Sequence, residues 1–273
     1  MNPRLQRPHA EPFFLTAEVG ERFCLYHPPH PDVPLRGSVL YVHPFAEELN
    51  KSRRMAALQA RAYARAGYGV LQLDLYGCGD SSGDFSDARW HLWLADLALG
   101  WQWLTQRCAA PAYLWGLRLG ALLALQFAAR ARPAPAGLVM WQAVVSGRAH
   151  LHQFMRLNSV ARMLGTARPE SSLPDKTSEV AGYMLAAELA GAIQQAEASC
   201  VPPCAVQWLE LSAPEQDPAL QPASALLLER WERAGAEVDA YALPGMSFWT
   251  TPEIAEVPEL IQATLAAMPV PRP

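Results

Sequence analysis

A short turn near the middle of the chain has the spacing of a catalytic motif but lacks its reactive residue. Residues 116–120 read Gly-Leu-Arg-Leu-Gly, between a predicted strand at 112–115 and a predicted apolar helix at 119–131. This is the spacing of the Gly-x-Ser-x-Gly nucleophile elbow, whose glycines permit a tight turn around the residue that attacks. The central residue here is Arg118, whose guanidinium stays protonated and has no lone pair for attack. The motif therefore predicts the turn without its usual nucleophile.

The base of a catalytic triad is missing as well. The seven histidines are His9, His27, His30, His43, His91, His150 and His152, so none follows residue 152. The loop after the last predicted strand, where the histidine of such a triad belongs, has Ser247 at the corresponding place. The acids that follow the predicted strand at 206–211 are Glu210, Glu215 and Asp217. An acid without a nucleophile and a base does no triad chemistry.

Two residues could carry relocated chemistry. His43 could act as a general base, and the alternative is a loop histidine that makes local hydrogen bonds. Cys78 follows Gly77 in a predicted loop and could act as a thiol nucleophile. His43 is the one histidine that we expect near enough to activate Cys78, because a thiol attacks as the thiolate.

Arg118 itself has two interpretations. In the first, its guanidinium and the free amides at a helix N-terminus form an anion site for a carboxylate or phosphate. In the second, Arg118 pairs with an internal acid, Glu47 or Glu48, and plugs the pocket, because a buried arginine needs a partner. The residues predicted to line the ligand site are Arg118, Leu119, His43, Phe45 and Glu48.

Strand-like and helix-like patterns alternate along the chain, which is typical of an α/β fold. We predict one or two strands within 13–26 and further strands at 38–42, 69–74, 112–115, 136–142, 206–211 and 237–243. Helices are predicted at 51–66, 87–107, 119–131, 220–234 and 254–267. The simplest architecture is one domain with a mostly parallel central sheet and helices on both faces. Residues 1–145 and 200–273 form its core, and 146–199 form a helical lid inserted over the carboxyl edge of the sheet.

Three stretches resemble α/β-hydrolases, and the resemblance covers nearly the whole chain. Residues 41–45 (Tyr-Val-His-Pro-Phe) resemble the loop that supplies an oxyanion-hole amide, and 74–83 resemble the family's Asp-x-x-Gly-x-Gly-x-Ser loop. The run at 43–54 combined with the elbow at 116–120 resembles the hydrolase 2 family associated with exosortase A systems. That resemblance implies a setting in exopolysaccharide production and protein sorting, with proteins of that pathway as partners.

Two functions remain open. The first is a non-hydrolytic binding or accessory protein with a degenerate triad, whose ligand is a small anionic, acyl or saccharide molecule. The second is a hydrolase or acyltransferase for an ester or acyl substrate, with relocated catalytic residues. Fold resemblance alone does not choose between them.

The composition of the chain limits its possible partners and its cellular location. The formal net charge of −4 gives no electrostatic footprint for nucleic acid or for an anionic membrane. Five cysteines favour free thiols in a reducing compartment, and Cys200 with Cys204 lacks the second ligand pair of a zinc site. No apolar run follows the charges of residues 1–8, and no window is long enough for a transmembrane helix. We therefore expect a cytoplasmic protein with no cofactor and no metal.

Overall fold

One eight-stranded sheet organises the chain. The computed structural model describes residues 9–163, 177–180, 182–215 and 217–268. The strands of this sheet are β1 (Glu11–Thr16), β2 (Glu21–His27), β3 (Gly37–Val42), β4 (Tyr68–Leu73), β5 (Ala112–Leu117), β6 (Gly137–Trp141), β9 (Ala205–Ser212) and β10 (Val238–Pro244). Their order is β1-β2-β4-β3-β5-β6-β9-β10. Only the pairings of β2 with β1 and with β4 are antiparallel, so the predicted mostly parallel sheet is confirmed.

Helices cover both faces of the sheet, as the sequence predicts. They are α1 (Glu47–Arg65), α2 (Trp90–Arg107), α3 (Leu119–Ala128), α4 (Gly147–Met163), α5 (Ala187–Gln195), α6 (Pro222–Arg233) and α7 (Pro258–Ala267). Buried side chains of α1 and α7, such as Met55 and Leu260, share one core with one face of the sheet. Buried side chains of α2, α3 and α6, such as Trp101, Leu122 and Trp231, share the core on the other face.

The two cores follow from the two-residue period of the central strands. In β5, Tyr113 and Trp115 point into the core beneath α1, whereas Leu114 points into the core beneath α2 and α3. All six residues of β5 are buried, as expected for a parallel strand that is covered on both faces. Because both faces of β5 are packed, the two cores together fix the position of the turn that follows this strand.

The segment at 146–199 differs in part from the predicted run of helices. Between α4 and α5 lies a two-stranded hairpin, β7 (Thr177–Val180) with β8 (Tyr183–Ala186). Its turn contains Gly182 at φ 84°, a conformation that glycine adopts without steric cost. The buried Val180 and Leu185 join the core on the α2 and α3 side. The prediction of helices alone is therefore wrong for β7 and β8. These two strands pair with each other and bury Val180 and Leu185 in the core.

Some sequence-based expectations lie outside what the structure describes. Residues 1–8, for which the sequence predicts no signal peptide, are outside the described residues. In the described ranges, no helix has both the length and the apolar character needed to cross a bilayer.

Gly120 offers a test of the close packing that fixes the turn after β5. A Cβ at this position would overlap the backbone carbonyl oxygens of Val42 and His43, which have little freedom to move. We expect Gly120→Ala to lower the free energy of unfolding by about 2 to 3 kcal/mol, as measured by urea denaturation. Gly191→Ala in α5 is the matched control, because open space surrounds that position. An equally stable Gly120→Ala variant would contradict the tight packing.

Candidate active-site elbow

The turn after β5 keeps the geometry of a nucleophile elbow. Arg118 stands alone between β5 and α3 with φ 55° and ψ −121°, a strained region for a residue with a side chain. Its amide donates a hydrogen bond to the Trp141 carbonyl at 3.0 Å, and its carbonyl accepts one from the Ala121 amide at 3.1 Å. The chain is thus folded to present residue 118 at the carboxyl end of β5.

The Arg118 side chain is neutralised from within the protein. Its Nε donates a hydrogen bond to Glu48 Oε1 at 3.1 Å, and the two side chains are only 12% and 16% exposed. The guanidinium carbon also lies 5.5 Å from the centre of the Trp249 ring, within the range of a cation–π contact. Glu48 is on the first turn of α1, so a charge from one element compensates the charge of another.

The Glu48 carboxyl group is only partly compensated. Burial raises its pKa above the ordinary value, and the charge and hydrogen bond of Arg118 oppose that effect. Its second oxygen, Oε2, is buried and has no hydrogen-bond partner. Of the two acids that the sequence offers as partners, Glu48 makes the ion pair, whereas Glu47 Oε2 accepts hydrogen bonds from Asn50 and Tyr183.

His43 is fixed by hydrogen bonds on both ring nitrogens. Nε2 accepts a hydrogen bond from the Leu75 amide at 3.2 Å, so the proton of the neutral ring is on Nδ1. Nδ1 in turn donates to the Pro44 carbonyl at 2.8 Å. Burial lowers the pKa of His43, and the nearby Asp74 opposes that effect. The ring has neither a free lone pair nor a free proton for a substrate.

The other candidate nucleophile is buried. Cys78 is 7% exposed, and burial followed by the charge of Asp74 raises the pKa of its thiol far above the ordinary value. A thiol in this state contains very little thiolate, which is the attacking form. All five cysteines are free, and among them only Cys200 is exposed.

The remaining triad candidates make no polar contact with Arg118 in the described structure. Glu215, Asp217 and Ser247 are exposed, and none makes a hydrogen bond or ion pair with Arg118 in the described structure. Glu210 is buried and accepts hydrogen bonds from Trp208 Nε1 at 2.9 Å and the Gln221 amide at 2.7 Å. These contacts hold the loop between β9 and α6.

Two residues at the elbow were not singled out by sequence reasoning. Trp249 lies two residues beyond Ser247 and is 5% exposed, so the loop that would carry a catalytic histidine carries a ring for Arg118. His150 on α4 is 7% exposed, and both its ring nitrogens lack a hydrogen-bond partner. Burial and then the charge of Arg118 lower the pKa of His150 to about 3. Its ring packs against Phe45 with centroids 5.9 Å apart.

Little space remains beneath the elbow. A cavity of about 10 Å³ is lined by residues 43–46 together with Leu119, Gly120, Cys78 and apolar neighbours. This volume holds about one water molecule. Phe45 fills the adjoining region, with ring centroids 5.0 Å from Phe154 and 6.3 Å from Trp93. The structure thus brings Leu119, His43 and Phe45 to the wall of one very small cavity. Arg118 and Glu48, which were also predicted to line the ligand site, pair with each other and do not line this cavity.

No metal site is found by geometry. Within the described residues, no three histidine, cysteine, aspartate or glutamate side chains converge as the ligands of a metal ion would.

The sheet order, the strained residue at the end of β5 and the cover of helices define an α/β-hydrolase fold. The chain belongs to the Hydrolase_4 family, described as serine aminopeptidase, S33, whose model matches residues 33–210. A curated relative, the thermostable monoacylglycerol lipase of Bacillus sp. (strain H-257), is 36% identical over 107 residues. That match spans 39% of this chain and 40% of the lipase, so it covers less than half of either protein.

Solved structures show the same fold at low sequence identity. Est1E from Butyrivibrio proteoclasticus with bound ferulic acid has a TM-score of 0.67 and 16% identity, covering 92% of this chain and 96% of that one. XC6422 from Xanthomonas campestris, an α/β serine hydrolase without a lid, has a TM-score of 0.60 and 18% identity, covering 97% and 95%. A soluble variant of monoglyceride lipase from Saccharomyces cerevisiae has a TM-score of 0.63 and 14% identity, covering 96% of each chain.

The Arg118–Glu48 pair predicts an asymmetry between its two single variants. Glu48→Gln leaves a guanidinium that cannot lose its proton, so we expect a loss of about 2 to 4 kcal/mol in the free energy of unfolding. Arg118→Met leaves a carboxyl group that can take up a proton, so the loss should be smaller. In a double-mutant cycle measured by urea denaturation, the coupling energy should be about 1.5 to 3 kcal/mol.

The matched control for this cycle is an exposed ion pair on α6. Arg233 and Glu229 are 3.3 Å apart and more than half exposed, so Glu229→Gln should change the free energy of unfolding by less than about 0.5 kcal/mol. A Glu48→Gln variant that is no less stable than this control would exclude the ion pair as a structural requirement.

His150 predicts a loss of stability in mild acid. The folded protein keeps His150 neutral down to a pKa of about 3, whereas the unfolded chain protonates it near its ordinary value of about 6.5. Stability from this group is therefore complete above pH ~6.5 and declines as the pH falls toward 3. Between pH ~7.5 and ~5.0, wild type should lose about 2 kcal/mol more free energy of unfolding than His150→Phe.

The control for the pH experiment is His152→Gln, at an exposed position of the same helix. It should keep the pH dependence of the wild type, because it retains the buried His150. The buried His43 and His27 are the same in all three proteins and do not contribute to the difference. Parallel curves of stability against pH for wild type and His150→Phe would contradict a buried neutral His150.

Proposed function

We propose that this chain is a non-hydrolytic α/β-hydrolase-fold protein that acts as a binding or accessory component. One observation carries the proposal: Arg118 occupies the nucleophile position, pairs with Glu48 and packs on Trp249. An arginine that is already neutralised inside the protein has no charge left to recruit an anion. This supports the plug interpretation of Arg118 over the anion-site interpretation.

The neighbouring groups support the same proposal. An acyl transfer needs a nucleophile, a base within hydrogen-bond reach and a place for the oxyanion. His43 has both nitrogens occupied, Cys78 is a buried thiol, and the loop after β10 has Ser247 in place of a histidine. The space beneath the elbow holds about one water molecule. Among the described residues, the elbow therefore offers no nucleophile, no free base and no space for an oxyanion.

The second candidate is a hydrolase or acyltransferase for an ester or acyl substrate with relocated catalytic residues. It is favoured by the 36% identity over 107 residues to a monoacylglycerol lipase. It ranks second because that likeness covers less than half of each chain and because His43 and Cys78 are not available for catalysis.

The proposed location of the protein is the cytoplasm. We propose that it acts there with the exosortase and exopolysaccharide machinery. Its support is the resemblance of the run at 43–54 and of the elbow to the exosortase A system-associated hydrolase 2 family. Proteins of that pathway would be the partners, and a small anionic, acyl or saccharide ligand would bind outside the closed elbow. The proposed cap is the segment 146–199, and in its described part Leu151 and Phe154 at the start of α4 are buried against the core.

The decisive measurement is hydrolysis of short-chain and long-chain aryl esters by purified wild type. We expect no rate above buffer, and none from Arg118→Ala, His43→Gln or Cys78→Ala. The glutamine is chosen because it can donate and accept hydrogen bonds as His43 does. Turnover by wild type that His43→Gln or Cys78→Ala abolishes would overturn the proposal in favour of the second candidate.

The accessory role is tested in a strain whose chromosomal copy is deleted. Exopolysaccharide output should fall on deletion and should be restored fully by wild type and by Cys78→Ala, which keeps the Arg118–Glu48 pair. Unchanged output after deletion would contradict the proposed setting while leaving the absence of hydrolysis intact.

A further inference from the structure

The central sheet ends on one side at β10, whose outer edge faces no other strand in the described structure. β10 is the last strand in the sheet order and pairs with β9 on its inner side. Six of the eight residues of β9 are buried, whereas none of the seven residues of β10 is buried. No part of the proposed function uses this edge.

The backbone groups on the outer edge of β10 can be assigned from two hydrogen bonds. The Val206 amide donates to the Glu237 carbonyl, and the Gly245 amide donates to the Ser212 carbonyl, both at 2.9 Å. Residues 237 and 245 therefore direct their backbone groups toward β9. Successive residues of a strand direct these groups to opposite sides, so the residues between them alternate. The residues whose amides and carbonyls point away from β9 are Val238, Ala240 and Ala242.

The two edges of the sheet differ in how they are protected against another strand. β1, at the opposite edge, begins with Glu11 and has Pro12 as its second residue, which cannot donate to a ladder. β10 contains one charged residue, Asp239, and its proline, Pro244, is its last residue. Charged side chains and prolines are the usual means of blocking an edge strand. β10 therefore has the less protected of the two edges.

β10 is complementary to itself when two copies of the strand pair antiparallel. With a two-fold axis at Tyr241, all seven residues have a partner, and Tyr241 lies opposite Tyr241 of the second copy, a favourable aromatic pair. Asp239 lies opposite Leu243 of the second copy, so no two carboxylates face each other. Ala240 lies opposite Ala242 of the second copy, so the outward amides and carbonyls of these residues meet acceptors and donors.

We propose that this chain forms a two-fold symmetric dimer in which the β10 strands of two copies pair antiparallel and join their sheets. A second copy fits this edge because both partners then bring the same self-complementary strand, and one contact covers both free edges. The antiparallel pairing points the carboxyl ends of the two sheets, and with them the two elbows, in opposite directions. The inference is independent of the proposed function, because neither residue of the Arg118–Glu48 pair lies on β10.

Sedimentation velocity of the purified full chain tests the dimer. Wild type should sediment with twice the mass of one chain at micromolar concentrations and should dissociate on dilution. Tyr241→Lys and Tyr241→Glu each place two like charges opposite each other at the axis, so each should raise the Kd of the dimer at least about tenfold. An equimolar mixture of the two variants should restore the dimer, because a lysine then faces a glutamate.

The matched control is Phe14→Lys, an aromatic-to-lysine change on the other edge strand, at a position that is 53% exposed. It should dimerise as wild type does, and so should Tyr241→Phe, which keeps the ring. Circular dichroism and the urea midpoint establish that each variant is folded.

Three results would overturn the proposal. Wild type that stays a monomer at all concentrations would exclude the dimer. A folded Tyr241→Lys variant that dimerises as wild type does, or a Phe14→Lys variant that alone becomes a monomer, would exclude the β10 edge. A mixture of folded Tyr241→Lys and Tyr241→Glu variants that remains monomeric would exclude the two-fold axis at Tyr241.

Discussion

A permanent positive charge at the end of β5 constrains everything around the elbow. The backbone fixes Arg118 at φ 55°, so its side chain leaves the turn in a direction that the sheet determines. Because a guanidinium does not lose its proton, the fold must compensate it. Glu48 from α1 provides the opposite charge, and Trp249 from the loop after β10 provides the face of a ring. Elements far apart in sequence are thereby joined at the point where a hydrolase would bind its substrate.

The elbow persists here without a nucleophile because its glycines also serve packing. Side chains at Gly116 and Gly120 would overlap the backbone of Ala121 and of the loop that begins at His43. This close approach brings α3 against the ends of β3 and β5 whatever residue stands at 118. The geometry of an active site is therefore a property of how the sheet and helix meet, and its chemistry is a separate property of a few side chains.

The sequence predicts the fold and the elbow well because both depend on local patterns. The alternation in β5 and the spacing of Gly116 and Gly120 are visible within a few residues. The partner of Arg118 could be narrowed to Glu47 or Glu48, but the choice depends on the start of α1, where Ala46 has φ 51°. Trp249 and His150 reach Arg118 through tertiary packing from the loop after β10 and from α4, and no local pattern connects them. The hairpin of β7 and β8 was missed because strands of four residues give too short a period to recognise.

Two cavities that His43 lines differ most in their size. At the elbow, Arg118 pairs with Glu48 and both ring nitrogens of His43 are hydrogen-bonded, whereas Glu48 Oε2 and the His150 ring have no hydrogen-bond partner; the space there is about 10 Å³. A space of about 190 Å³, which His43 also lines, lies between α1 and the strands β2, β3 and β4. An α/β-hydrolase fold whose elbow holds an ion pair therefore keeps more open space in the neighbouring layer, between α1 and the sheet, than at the elbow itself.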